Sequence, residues 1–140
     1  MPKKIKELIK LHIGCGKRIL PGYVNIDIQK APGVDLVCDV RKLPYKNNSV
    51  NFIYSCSVIE HFGRAEWKKV LGHWFSKLKP GGKLRLSTAD FRQVCERYFE
   101  KGDIEELLGF VVGGQKDTYD WHGMIYDFTL MKRTLEEVGL

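Results

Sequence analysis

In Leu11-His12-Ile13-Gly14-Cys15-Gly16-Lys17 an apolar run passes directly into Gly-Cys-Gly. Glycines there let the backbone turn sharply and approach a ligand with no Cβ in the way. Two acids follow later apolar runs: Asp27 closes Val24-Asn25-Ile26, and Asp39 comes shortly after Val34-Asp35-Leu36-Val37. Ribose hydroxyls and an adenine amino group are donors that carboxylates can accept. If the three runs are adjacent parallel strands, Gly14, Asp27 and Asp39 gather at the carboxyl edge of a sheet, where open α/β folds bind ligands. The set reads as a nucleoside-binding edge. The alternative makes Asp27 and Asp39 turn or capping residues.

A fourth apolar run, Phe52-Ile53-Tyr54, leads into Ser55-Cys56-Ser57-Val58-Ile59-Glu60-His61-Phe62. His61 can serve near neutral pH as a base or donor, and Glu60 could orient a neighbouring group. Equally, Glu60 could cap a helix and His61 pack on its side. Cys56 and His61 are too sparse for a zinc site, which needs three or four ligands, so no metal is expected. His12, inside a strand, reads as a satisfied core histidine.

The elements that must position these groups alternate. Leu11–Ile13, Val24–Ile26, Val34–Val37, Phe52–Tyr54 and Leu84–Leu86 are short, rich in β-branched or aromatic residues, and bounded by turn formers, as strands are. Trp67, Val70, Leu71, Trp74, Phe75 and Leu78 fall on one helical face, stopped by Pro80-Gly81-Gly82. Phe91 to Phe99 repeats that spacing behind Asp90, an N-cap, with Gln93 placed for a capping-box pair. Ile104 to Val112 follows Asp103, and a last helix over Phe128–Val138 ends at Gly139, a natural C′ residue. Strands followed by helices predict an α/β fold with a mostly parallel sheet.

The chain has 140 residues, 44% hydrophobic and 29% charged, which fits a single domain spanning 1–140 and excludes a disordered tail. No apolar run approaches a membrane span, and Met1–Lys6 is basic without the apolar stretch of a signal peptide. Four cysteines far apart, with no CxxC pair, fit a reduced, cytoplasmic protein. The net charge of +6 is dispersed, with no block of five like charges. That pattern favours a solvated surface over a nucleic-acid partner.

The ordered set of motifs resembles the class I S-adenosylmethionine-dependent methyltransferases, and most nearly the small type 11 group. Gly14-Cys15-Gly16 is similar to their first motif, and Asp27 to the ribose-binding acid after the second strand. Asp39-Val40 with Leu43-Pro44 and Ser49-Val50-Asn51-Phe52-Ile53 resembles the adenine-contacting stretch. Val58-Ile59-Glu60-His61 resembles the motif after strand four, and Leu78-Lys79-Pro80-Gly81-Gly82 the turn before strand five. The resemblance implies a Rossmann-like three-layer sandwich binding S-adenosylmethionine, with S-adenosylhomocysteine as product. Gly14, Cys15 and Gly16 would line the methionyl part, Asp27 would hold the ribose, Asp39 and the Val40 backbone would meet adenine, and Ser57 would lie near through its backbone. Cys15 is expected to be a small packing residue.

Two departures stand out. Only residues 17 to 26 separate Gly16 from Asp27, so the first crossover helix is expected to be lost or reduced to one turn. A pyrophosphate would want a helix N-terminus there, which disfavours a nicotinamide cofactor. Asn51 stands where the family commonly carries an acid. The sequence also stops after a helix cap where a sixth strand would begin, so the last two strands are expected to be absent. An open strand-five edge then predicts a homodimer or other edge protection.

The resemblance places the segment after strand five over the acceptor. His122, in Asp117-Thr118-Tyr119-Asp120-Trp121-His122-Gly123, joins His61 as a candidate base, and Tyr119 and Trp121 could stack on an acceptor, sugar rings included. The alternative is an ordinary surface loop. The implied function is in-line methyl transfer to a small-molecule or glycan acceptor. A methyltransferase-like binding module without turnover, or an RNA methyltransferase, are the competing readings.

Overall fold

The structure is a computed structural model and describes residues 7–140; the basic start Met1–Lys6 lies outside the described residues. Five strands, β1 (Lys10–Ile13), β2 (Val24–Asp27), β3 (Leu36–Val37), β4 (Val50–Cys56) and β5 (Leu78–Ser87), form a sheet of order β3-β2-β1-β4-β5. All pairings are parallel. The order reverses between β1 and β4, the switch point where such sheets open a crevice.

Residues 14–23, between β1 and β2, contain no helix, and neither do residues 28–35, between β2 and β3. A parallel crossover with a helix takes a dozen or more residues, so both connections are loops. The reduction expected for the first crossover thus extends to the second. Between β4 and β5 the chain is long enough for α1 (Trp67–Lys77). After β5 come α2 (Phe91–Lys101), α3 (Leu108–Val112) and α4 (Phe128–Val138).

One face of the sheet carries the core. Leu11, Ile13, Ile26 and Ile53 pack there with Trp67, Val70, Leu71 and Trp74 of α1 and Met131 of α4. These aliphatic and indole groups are withdrawn from water almost entirely, and each fully buried large side chain contributes about 1.5–3 kcal/mol.

Local expectations mostly match, with informative differences. Asp90 caps α2 by accepting from Arg92 N at 3.0 Å, and Gly139 ends α4 at φ 102. No hydrogen bond joins Gln93 to Asp90 among the described residues, so the capping box is half made. The run Ile104–Val112 splits into a 3-10 turn (Glu105–Leu107) and the short α3. Val34 and Asp35 stay outside β3, because the Asp35 carboxylate and backbone both turn to Asn25. The Leu78-Lys79-Pro80-Gly81-Gly82 turn lies within β5: pairing steps from Val50↔Leu78 to Phe52↔Lys83, so the intervening residues bulge out, with Gly81 at φ 78. No described helix is long and apolar enough to cross a membrane.

Candidate functional site

The carboxyl ends of β1, β2 and β4 open onto one cleft of about 330 Å³, whose lining includes Gly14, Asp27, Asp39, Val40, Ser57 and His61. Six residues singled out in the sequence therefore meet at one place. Arg41, Val58, Glu66, Thr118, Tyr119 and Trp121 add to the wall. Cys15, Gly16 and His122 do not line it.

Gly14 sits at φ 63, and a Cβ there would collide with the Val58 side chain. Only glycine meets both conditions. Cys15 turns inward, 3% exposed, and burial pushes its thiol pKa up, which suits a packing residue. The Gly16 N–H donates to Asp27 Oδ2 at 2.8 Å, and Gln29 N–H donates to Oδ1 at 2.9 Å. Each Asp27 oxygen thus holds one backbone donor. A carboxylate offers about four lone-pair sites, so two remain for paired hydroxyls. Ser57, directly after β4, is one of few non-glycine residues at positive φ (55). Such strain concentrates at functional sites.

Asp39 is engaged within its own turn. Its side chain caps the 3-10 turn Val40–Lys42 and grips Arg41: Arg41 Nη2 donates at 2.7 Å and Nε at 3.0 Å to Oδ2. These side-chain hydrogen bonds hold the Asp39 carboxyl below its ordinary range. Arg41 Nη1 also reaches Glu66 at 3.2 Å, fastening the turn to the entry of α1. Helix α1 secures it from below. Trp74 Nε1 donates to Val40 O at 3.0 Å, and His73 Nε2 accepts from Leu43 N at 2.9 Å. Burial lowers the His73 pKa, in keeping with an acceptor nitrogen. Val40's carbonyl is thereby committed to Trp74.

Loop 113–127 closes the other side. It is held to the 3-10 turn Ile59–His61 by Gly123 N and Met124 N, which both donate to Glu60 O, and by Tyr126 Oη, which donates to Ile59 O at 3.1 Å. Burial, with Glu60 close by, raises the Tyr126 pKa, so this hydroxyl stays a donor. Gly63 and Gly123 approach so closely that a Cβ on Gly123 would lie 3.0 Å from the Gly63 backbone. Glu60 thus orients its neighbours through its carbonyl; its carboxyl is buried with Oε2 unpartnered among the described residues. His61 Nδ1 lies 2.9 Å from Trp121 O, and His122 Nδ1 lies 3.2 Å from Phe110 O. A carbonyl can only accept, so both Nδ1 atoms carry a proton, and in the neutral ring the lone pair falls on Nε2. The two rings stand edge to face at 5.1 Å, His61 at the cleft and His122 behind it. Among the described residues no cluster of three or more potential ligands could hold a metal ion.

Arg41, Glu66 and Thr118 were not singled out from the sequence. The signal available for Arg41 was its place two residues after Asp39, where an Asx turn lets an arginine fold back on its own cap.

The family model of the methyltransferase domain, type 11, matches residues 18–86, just under half of the chain. No protein of curated function matches significantly. A methyltransferase from Thermotoga maritima shares the fold at TM-score 0.66 and 17% identity, covering 94% of this chain and 63% of its own. One from Archaeoglobus fulgidus gives 0.63, 16%, 96% and 62%. Phosphoethanolamine N-methyltransferase 2 from Haemonchus contortus, in complex with S-adenosylhomocysteine, gives 0.53, 15%, 94% and 33%. The chain therefore spans a little under two thirds of the first two structures. Residues 18–86 thus resemble the type 11 methyltransferase domain, and the fold is the one these S-adenosylmethionine-dependent methyltransferases share.

Proposed function

We propose that this chain is a single-domain S-adenosylmethionine-dependent methyltransferase acting on a small-molecule or glycan acceptor. The observation that carries the reading is the convergence of Gly14, Asp27, Asp39, Val40, Ser57 and His61 on one cleft at the switch point. The residues fit the cofactor. Asp27 keeps lone pairs for the ribose hydroxyls, the Val40 N–H and the remaining Asp39 lone pair meet adenine, and Gly14 and Ser57 leave backbone close to the methionyl part. Cys15 and Gly16 support that edge from behind, Gly16 by orienting Asp27.

When bound, S-adenosylmethionine supplies a methyl group already activated on a sulfonium. The chain's part is alignment and proton handling. Asp27 and Glu66 give the cleft acidic walls suited to a cationic centre. Tyr119 and Trp121, both half exposed or more, offer flat apolar faces to an acceptor ring. His61 Nε2, its tautomer fixed by Trp121 O, takes the proton that an acceptor hydroxyl or amine loses. His122 packs behind it as a second candidate base.

A ligand at about 100 times its Kd stabilises a fold by about 2.7 kcal/mol, so S-adenosylhomocysteine should raise the thermal midpoint clearly, and Asp27→Asn should abolish most of the rise. No shift at millimolar ligand would overturn the cofactor assignment. Binding with no transfer to any hydroxyl or amine acceptor tried would make the chain a binding module.

A further inference from the structure

Strand pairing gathers side chains that lie far apart in sequence. Lys10 of β1 pairs with Phe52 of β4, and Phe52 with Lys83 of β5. Two residues along each strand, His12 pairs with Tyr54, and Tyr54 with Arg85. Side chains alternate across a sheet, so both rows share one face, opposite the core face of Leu11, Ile13, Ile53 and Leu84. Loops, not helices, connect β1 to β2 and β2 to β3, and Tyr23, Phe52 and Tyr54 stay outside the hydrophobic core. Instead Tyr23 packs on Phe52 and Lys10, and Tyr54 on the buried His12. Lys10 Nζ lies 4.8 Å from the Tyr23 ring centre, Tyr23 meets Phe52 edge-on at 6.1 Å, and the His12 and Tyr54 rings are 5.1 Å apart. Lys83 and Arg85 are exposed. Among the described residues, neither they nor Lys10 forms an ion pair. No acid occupies either row; Asp35 is bonded to Asn25 on β2.

We propose that this face binds single-stranded nucleic acid, with bases against the Phe52, Tyr54 and Tyr23 rings and phosphates on Lys10, Lys83 and Arg85. Three cations flanking aromatic rings give a polyanion its charge partners and unstacked bases their platforms. A duplex hides its base faces and could use only the charges. A second copy of the chain, joined face to face, would set these cations against themselves. The proposal goes beyond the methyltransferase reading and does not rest on it.

Fluorescence anisotropy with a labelled oligouridine of about twelve nucleotides, in about 50 mM salt and without cofactor, tests it. Three phosphate contacts on a single strand give a slope of log K against log salt near −2, at about 0.7 per contact. The double variant Lys83→Ala/Arg85→Ala, at exposed positions, should bring that slope to about −0.7. Phe52→Leu should weaken binding about fivefold or more and leave the slope unchanged. Melting curves of both variants control for folding. Four results would overturn the proposal: no binding at about 100 μM protein, a slope unmoved in the double variant, a hairpin duplex or oligoglutamate bound as tightly as oligouridine, or light scattering that shows a dimer abolished by Lys83→Ala/Arg85→Ala. The methyltransferase reading survives each of these, since none involves the cleft.

Discussion

Gly14 and Gly16 form a matched pair for testing the glycine turn. Both hold left-handed backbone, at φ 63 and φ 51. An L-residue forced there costs about 1–2 kcal/mol. They differ in their surroundings: a Cβ on Gly16 meets nothing within 4 Å, whereas one on Gly14 collides with Val58 Cγ2. Val58 belongs to the core and cannot step aside freely. Overpacking of that kind adds about 1–3 kcal/mol. Gly16→Ala should therefore lose about 1–2 kcal/mol, and Gly14→Ala about 2–5 kcal/mol. Urea unfolding gives both values, provided the slope m stays constant. Val58→Ala supplies the internal check. Alone it loses about 1.5 kcal/mol for two methyl groups, yet combined with Gly14→Ala it removes the atom in collision. The double variant should then be more stable than the sum of the singles by about 1–3 kcal/mol, a coupling that independent sites do not show. Equal losses for Gly14→Ala and Gly16→Ala, or strict additivity with Val58→Ala, would refute the steric account of the turn.

Asp39 owes its lowered pKa first to the Arg41 side chain. A depressed carboxyl stabilises the fold at pH above the ordinary carboxylate range and loses that contribution as pH falls through the lowered value. Arg41→Ala should move the Asp39 titration back up, read by carbon NMR; an unmoved titration would show that Arg41 is not the cause. Among the cysteines, burial raises Cys15 and Cys38, while a hydrogen bond with Ser87 at 3.5 Å lowers Cys56. Iodoacetamide near pH 8 should therefore label Cys56 first, and Ser87→Ala should slow it; earlier labelling of Cys15 would contradict the burial seen here. His61→Ala should lower turnover at unchanged S-adenosylhomocysteine affinity, and His122→Ala should do so less, because His122 stands behind His61. Equal losses would put His122 at the acceptor, and unchanged turnover would eliminate it.

The edge of the cleft was legible because it is built locally. Asp27 ends β2 and Gly14 and Ser57 directly follow β1 and β4, and parallel strands deliver their ends to one side whatever packs around them. Other side chains around the cleft were less legible, because sequence offers a role without showing which neighbour takes it. Arg41 competes for the carboxylate that the sequence offered to adenine. Glu60 works through its carbonyl rather than its acid. His122 is drawn to Phe110 O, 12 residues away in the chain. The contacts of Glu60 and His122 go with the docking of loop 113–127, which is held by backbone groups that carry no sequence signature.

The aromatic and cationic face did carry a signature, in a pattern easily read as strand and no more. Parallel strands buried on both sides run as unbroken apolar stretches, whereas alternation marks a sheet with one solvated face. Lys83-Leu84-Arg85-Leu86-Ser87 alternates strictly, and Leu84 and Leu86 are indeed the half-buried positions. Phe52-Ile53-Tyr54-Ser55-Cys56 repeats the pattern with rings in place of charges, Ile53 and Ser55 being buried. The cause lies in the connections already noted. Residues 14–23 and 28–35 are too few for crossover helices, so the side of the sheet that they cross receives loops. Such a face must tolerate water. Aliphatic residues would leave it a sticky patch, while rings beside the cations Lys10, Lys83 and Arg85 suit an anionic partner. The same shortness that argues against a nicotinamide cofactor at Gly14 thus leaves Lys83 and Arg85 exposed and Lys10, Phe52 and Tyr54 half-buried on this face, with His12 buried among them.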